Sequence, residues 1–217
     1  MKWKHIIFDL DGTILNTSDG IEKAINYTVN QMKLPPIDPN EIKKFIGPPI
    51  YESFKFHYDL SEKIATSATE IFRDAYKGKY LFCAKLYHGI VELLDYLRNS
   101  VDGICLSVAT NKREDYTITL LEYFGLEKKF DYIVGSDFEN SMKKKDIIRK
   151  CMVLSQIDAR KALMIGDTIG DYIGAKENQI DFIGVSYGFG FSDNDIFNCQ
   201  FRIAENVFQL KQYIFQI

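Results

Sequence analysis

The chain has little of what marks a cross-linked or metal-stapled protein. Its four cysteines, at 83, 105, 151 and 199, stand apart and form no Cys-x-x-Cys spacing, and three histidines are too few for an obvious zinc cluster. Isolated thiols fit a reducing compartment, and Cys105, inside an apolar run, reads as a small core residue. No apolar run approaches the length that crosses a bilayer. Lys2 and Lys4 precede a short apolar stretch, but Asp9 breaks it and no small-residue cleavage site follows, so the expected location is cytoplasmic. Charge of one sign is also scarce. Basic residues number 27 and acidic residues 30, a net charge of -3, which argues against a nucleic-acid polymer or a membrane as partner. Internal repeats and low-complexity segments are absent.

What is present suits a soluble globular protein of one or two domains. The 217 residues are 46% hydrophobic and 26% charged. Short apolar runs end repeatedly in small polar or acidic residues: "IIFDLDGT" from residue 6, "ICLSVATNK" (104–112), "YIVGSD" (132–137), "ALMIGDT" (162–168) and "FIGVSYG" (182–188). Fully buried strands of a parallel sheet have this look. Helical patterns fill the gaps at 113–126, 144–154, 169–178 and 205–215. Strands alternating with helices predict right-handed crossovers and a doubly wound, Rossmann-like α/β core.

Residues 16–87 break the rhythm. They carry helical signals at 19–32, 38–46 and 61–80 and no convincing strand. Asp38, Pro39 and Glu41 read as an N-cap, a first helical position and a capping-box acid. The expected division is an α/β core, 1–15 with 88–217, and an inserted all-helical domain, 16–87.

Ligands of open α/β sheets bind beyond the carboxyl ends of the strands. The polar residues there are Asp9 and Asp11, then Thr110, Asn111 and Lys112, then Asp167 with Asp171 one turn later. The run Lys143-Lys144-Lys145 follows the third strand. Residues two apart on a strand point the same way, so Asp9 and Asp11 are expected to face one site. Gathered carboxylates are costly unless a cation neutralises them or one takes a proton. A hard divalent ion on oxygen ligands fits, and Mg²⁺ with Asp9 and Asp167 is the expectation. Thr110, backbone N–H groups and a lysine would supply the donors that a phosphate needs, and Gly12 lets backbone approach it closely. One carboxylate can attack phosphorus, and a second can protonate the leaving alcohol and then activate water.

"FDLDGT", "ATNK", a lysine and "GDTIGD" stand in the order of the haloacid dehalogenase-like hydrolases. "FIGPPIYESF" (45–54) and "LEYFGLEKKFDYIVGSD" (121–137) resemble the phosphoglycolate phosphatase-like branch, which carries a helical cap after the first motif. The resemblance spans nearly the whole chain. It implies Asp9 as nucleophile and Asp11 as general acid/base. Mg²⁺ would be held by Asp9, Asp167 and the backbone carbonyl of Asp11. Thr110, Asn111 and Gly12 would hold phosphate, Lys144 would offset charge on nucleophile and phosphate, and Asp171 would support the metal or the lysine. Gly47 in "IGPP" is implied as a substrate contact from the cap. Two positions depart from the pattern: Asn16 stands where relatives often carry aspartate, and the lysine sits in "MKKKD" without its usual proline. Distance to "DII" selects Lys144, with Lys143 and Lys145 still open.

The implied activity is hydrolysis of a small phosphomonoester, phosphoglycolate being the substrate that names the branch. A 5'-nucleotidase, a pyrophosphatase, a sugar-phosphate phosphatase or a phosphoglucomutase would use the same machinery. A phospho-accepting module or a catalytically silent binding protein is the rival of another class. The oligomeric state is not encoded in any motif.

Overall fold

β1 (His5–Phe8) is four residues long, and every one is buried. The computed structural model describes residues 2–138, 142–191, 193–198 and 200–216, so Cys199 lies outside the described residues. The chain forms two compact units, Met1–Asn16 with Leu86–Ile217, and Thr17–Lys85.

The first unit is a parallel sheet with helices. After β1 come β2 (Leu15–Asn16) and β3 (Lys85–Leu86), which form a separate two-stranded sheet. β4 (Cys105–Arg113), β5 (Tyr132–Ser136), β6 (Ala162–Gly166), β7 (Asp181–Val185) and β8 (Arg202–Ala204) join β1 in the order β5-β4-β1-β6-β7-β8. Every pairing within this six-stranded sheet is parallel. The chain builds outward from β1 to β5, then crosses back to build from β6 to β8. The strand order therefore reverses between β1 and β6, the switch point at which doubly wound sheets bind ligands. This is the expected α/β class, with one strand more than the five apolar runs. β8 has three residues, begins with exposed Arg202 and is too short to show a pattern.

The helices of this unit are α5 (Ile90–Ser100), α6 (Glu114–Tyr123), α7 (Lys144–Ser155), α8 (Ile169–Glu177), α9 (Asp193–Asn198) and α10 (Val207–Phe215). α5 and α9 went unread in the sequence, although α5 buries Ile90, Leu93, Leu94 and Leu97 at helical spacing. A core of Ile7, Ala109, Val134, Met164, Ile147, Ile148, Cys151 and Ala175 packs α7 and α8 on the sheet. Cys151 is fully buried, whereas Cys105 is only partly so; both are free thiols, as is Cys83.

The second unit contains α1 (Ser18–Met32), α2 (Pro39–Ile42) running into a 3₁₀ turn (Lys43–Phe45), α3 (Ile50–His57) and α4 (Glu62–Ala75), which continues as a π turn (Tyr76–Tyr80). α1 buries Ile21, Ala24, Ile25, Thr28 and Val29, and α4 buries Ala65, Ala68, Thr69, Phe72 and Ala75. Gly20 must be small, because a Cβ there would lie 2.4 Å from Tyr80 O. Among the described residues, no helix is long and apolar enough to cross a membrane.

Candidate active site

The registers of β1 explain what meets at its end. Phe8 is level with Val108 of β4 and Ile165 of β6. Asp9 therefore leaves the sheet beside Ala109 and Gly166, and its N–H donates to Ile165 O at 2.8 Å. Thr110 and Asp167 each stand one residue further out. Between Ala109 and Arg113 the pairing of β4 with β5 slips, so Thr110, Asn111 and Lys112 ride on an irregular strand end. Such bulges re-aim side chains beside functional sites.

Three carboxylates converge here. Asp9, Asp167 and Asp171 are 6%, 1% and 0% exposed, and each offers an oxygen within 4.8 Å of the others'. One buried ammonium answers them. Lys144, the first residue of α7, places Nζ 2.8 Å from Asp9 Oδ1, 2.8 Å from Asp171 Oδ1 and 3.1 Å from Ala109 O. Lys143 is exposed, and Lys145 pairs with Glu177 at the surface. The structure thus brings Lys144 alone of the three into the cluster.

Asp171 is held from a second side. Thr168 caps α8, donating to Asp171 Oδ2 from its N–H at 3.0 Å and its hydroxyl at 2.7 Å, while Asp171 N–H donates back to Thr168 Oγ1. The Thr168-x-x-Asp171 spacing, legible along the chain, is a capping box. Asp167 Oδ2 accepts the Phe189 N–H at 2.7 Å, and Oδ1 is buried with no hydrogen-bond partner among the described residues.

Three buried carboxylates face one ammonium in the cluster. Burial pushes the Asp9 carboxyl up to about 7 against the pull of Lys144, and Asp171 and Asp11 push the same way. Burial likewise holds Asp167 well above the usual carboxylate range, with Asp9 and Asp171 adding to it. Burial opposes the Lys144 ammonium, yet Asp171 and Asp9 together keep its proton bound more tightly than usual. An orphaned Asp167 oxygen among excess buried negative charge is the setting that a hard cation satisfies.

Asp11 lies beyond the end of β1. Strand alternation stops at Phe8, and Asp11 lies in the turn that follows, bridged to Leu15. The two-residue spacing therefore does not decide its direction. Its carboxylate pairs with Lys112 Nζ at 3.0 Å, so the two neighbouring acids have separate lysines. Thr110 is 1% exposed, and its Oγ1 accepts the Lys112 N–H at 3.2 Å. It stands in β4, not at the cap of α6, whose N-cap is Arg113. Asn111 is half-buried between them. Gly12 has φ +79, and a Cβ on it would lie 2.1 Å from Asp167 Oδ2. Gly47 belongs to the second unit, at φ +103 before α3.

Residues 6–185 match the family description "Haloacid dehalogenase-like hydrolase". The chain belongs to the haloacid dehalogenase-like hydrolases. It is 31% identical to a Pseudomonas aeruginosa protein named 5'-nucleotidase, over 89% of this chain and 87% of that one. It is 30% identical to a protein of Agrobacterium fabrum named phosphoglycolate phosphatase, over 84% of this chain and 80% of that one. The crystal structure of a predicted phosphatase from Clostridium acetobutylicum is 37% identical, covers 99% of each chain and superposes with a TM-score of 0.91. The relatives of this haloacid dehalogenase-like hydrolase carry names that differ in substrate.

Proposed function

We propose that the chain is a Mg²⁺-dependent phosphatase of small phosphomonoesters that works through phospho-Asp9. The observation that carries this reading is the cluster at the switch point: three buried carboxylates, one lysine, and an Asp167 oxygen without a partner. Asp9, Asp167 and the Asp11 carbonyl would hold Mg²⁺. When bound, the ion neutralises the cluster and polarises a phosphoryl oxygen.

The chain's own groups supply the rest. A carboxylate oxygen of Asp9 attacks phosphorus, and the bond to the leaving alkoxide breaks. Asp11, as general acid, gives that oxygen a proton. A water then attacks the acyl phosphate, passing its proton to Asp11 and releasing inorganic phosphate and the Asp9 carboxylate. Lys144 steadies negative charge on Asp9 and on the phosphoryl oxygens, Asp171 orients Lys144, and the Thr110 hydroxyl donates to phosphate with Asn111 and Gly12 beside it. Thr17–Lys85 is proposed as the cap, with Gly47 as its candidate substrate residue.

The test is a panel of phosphoglycolate, nucleoside monophosphates, pyrophosphate and sugar phosphates, with and without Mg²⁺. Release of inorganic phosphate from at least one monoester, only with the ion, is expected. Asp9→Asn should abolish turnover and leave the circular dichroism spectrum unchanged. Near-normal hydrolysis by that variant would remove Asp9 as nucleophile.

A further inference from the structure

The segment after β7, "SYGFG" at 186–190, takes no part in the chemistry above, yet it surrounds Asp167. Phe189 N–H donates to Asp167 Oδ2 at 2.7 Å. A Cβ on Gly188 would lie 2.4 Å from Asp167 Cβ and 2.4 Å from Oδ2. A Cβ on Gly190 would lie 2.5 Å from Thr168 Cγ2 and 2.9 Å from Asp167 O. From the opposite loop, Gly12 closes on the same Oδ2. Tyr187 ties the two loops together: its hydroxyl donates to Thr13 O at 3.2 Å, and its ring lies against Tyr87 with centroids 4.6 Å apart. Asp167 is therefore walled by backbone from two loops, where side chains have no room.

We propose that residues 187–189 form a positioning clamp that presents one oxygen of Asp167, Oδ1, to the divalent cation and withholds the other. The clamp rests on the reading that Asp167 holds such an ion. Its consequence is single-oxygen ligation. Mg²⁺ demands near-ideal octahedral geometry and is served by one oxygen per carboxylate, whereas Ca²⁺ accepts both oxygens of a carboxylate in a looser shell. A carboxylate released from Phe189 N–H can turn both oxygens inward. The clamp thus favours Mg²⁺ over Ca²⁺ through residues that touch neither ion.

The experiment is calorimetric titration of the full chain with MgCl₂ and, separately, CaCl₂. Wild type is compared with Gly188→Ala, Phe189→Pro and Tyr187→Phe. Loss of an outer partner weakens metal binding by about tenfold or more. That loss is expected for Mg²⁺ in the alanine and proline variants, with a smaller loss for Tyr187→Phe. The preference for Mg²⁺ over Ca²⁺ should fall by about tenfold. General loosening of the fold would weaken both ions together and leave that ratio alone, which would overturn the clamp. Should Gly188→Ala fail to fold, the other two variants decide. Wild-type Mg²⁺ uptake with folded variants that match it in affinity and ratio would overturn the clamp while sparing the proposed function. No Mg²⁺ uptake by wild type would overturn both.

Discussion

Lys144 Nζ lies 2.8 Å from Asp9 Oδ1, joining the start of α7 to the end of β1 across 135 positions of sequence. The same ammonium reaches Asp171, so one proton-rich group serves two of three buried acids. Breaking a buried ion pair by removing one partner leaves uncompensated charge and costs about 3–5 kcal/mol. Lys144→Met keeps the stem's volume and removes the charge, so a loss of about that size is expected in urea unfolding at neutral pH. Lys145→Met breaks only a surface pair with Glu177 and should cost less than about 1 kcal/mol. Equal losses in the two variants would contradict the placement of Lys144.

The pair formed by Asp11 and Lys112, 3.0 Å apart, predicts a dependence on leaving group. An alkyl phosphate needs its leaving oxygen protonated, while p-nitrophenolate leaves without help. General acids contribute about 10²–10⁴-fold. Asp11→Asn should therefore slow an alkyl phosphate by about 10²-fold or more and slow p-nitrophenyl phosphate much less. Lys112→Met should show the same selectivity with smaller size, because it only holds Asp11 in place. Steady-state rates on both substrates check this; equal slowing of the two would reject Asp11 as the proton donor.

Excess negative charge at Asp9, Asp167 and Asp171 makes the fold a reporter of cation binding. A ligand at about 100 times its dissociation constant stabilises the folded state by about 2.7 kcal/mol. Melting in MgCl₂ against melting in EDTA should show a rise of several degrees. Asp167→Ala removes the orphaned oxygen and should abolish the rise. A wild type whose melting point ignores Mg²⁺ would count against the cation site.

His5 gives a pH prediction away from that cluster. It is fully buried in β1, with Nε2 2.7 Å from Ser107 Oγ. Burial pulls its pKa down to about 4, partly opposed by Asp131. In the unfolded chain the imidazole takes up its proton near pH 6.5. Between those values the unfolded chain binds a proton that the folded chain does not. The contribution of His5 to stability is therefore complete above about pH 6.5 and is lost as pH falls toward 4, by about 3 kcal/mol over the full span. Urea unfolding across that range should show a shallower decline for His5→Gln than for wild type. Parallel declines would mean that His5 titrates alike in the folded and the unfolded chain.

Much of this architecture is written in local patterns. "HIIF" is legible because a strand flanked on both edges buries both faces and shows as an unbroken apolar run. α1 and α4 are legible because their buried residues recur every three or four positions. β8 was not, because three residues carry no period. The direction of Asp11 was not, because alternation holds only inside a strand and the strand ends at Phe8. The loop around Asp167 was not, because "SYGFG" looks like any glycine-rich turn until its backbone is seen against a carboxylate.

By itself the sequence determined where strands stop and that acids, a threonine and lysines stand at those stops, since hydrophobic periodicity and strand ends are properties of neighbours along the chain. Tertiary structure alone decided that Lys144 rather than Lys143 or Lys145 meets Asp9, that Asp11 answers to Lys112, and that Phe189 holds one oxygen of Asp167. Those pairings depend on strand order and register, which bring together groups separated by up to 135 residues and which no local window contains.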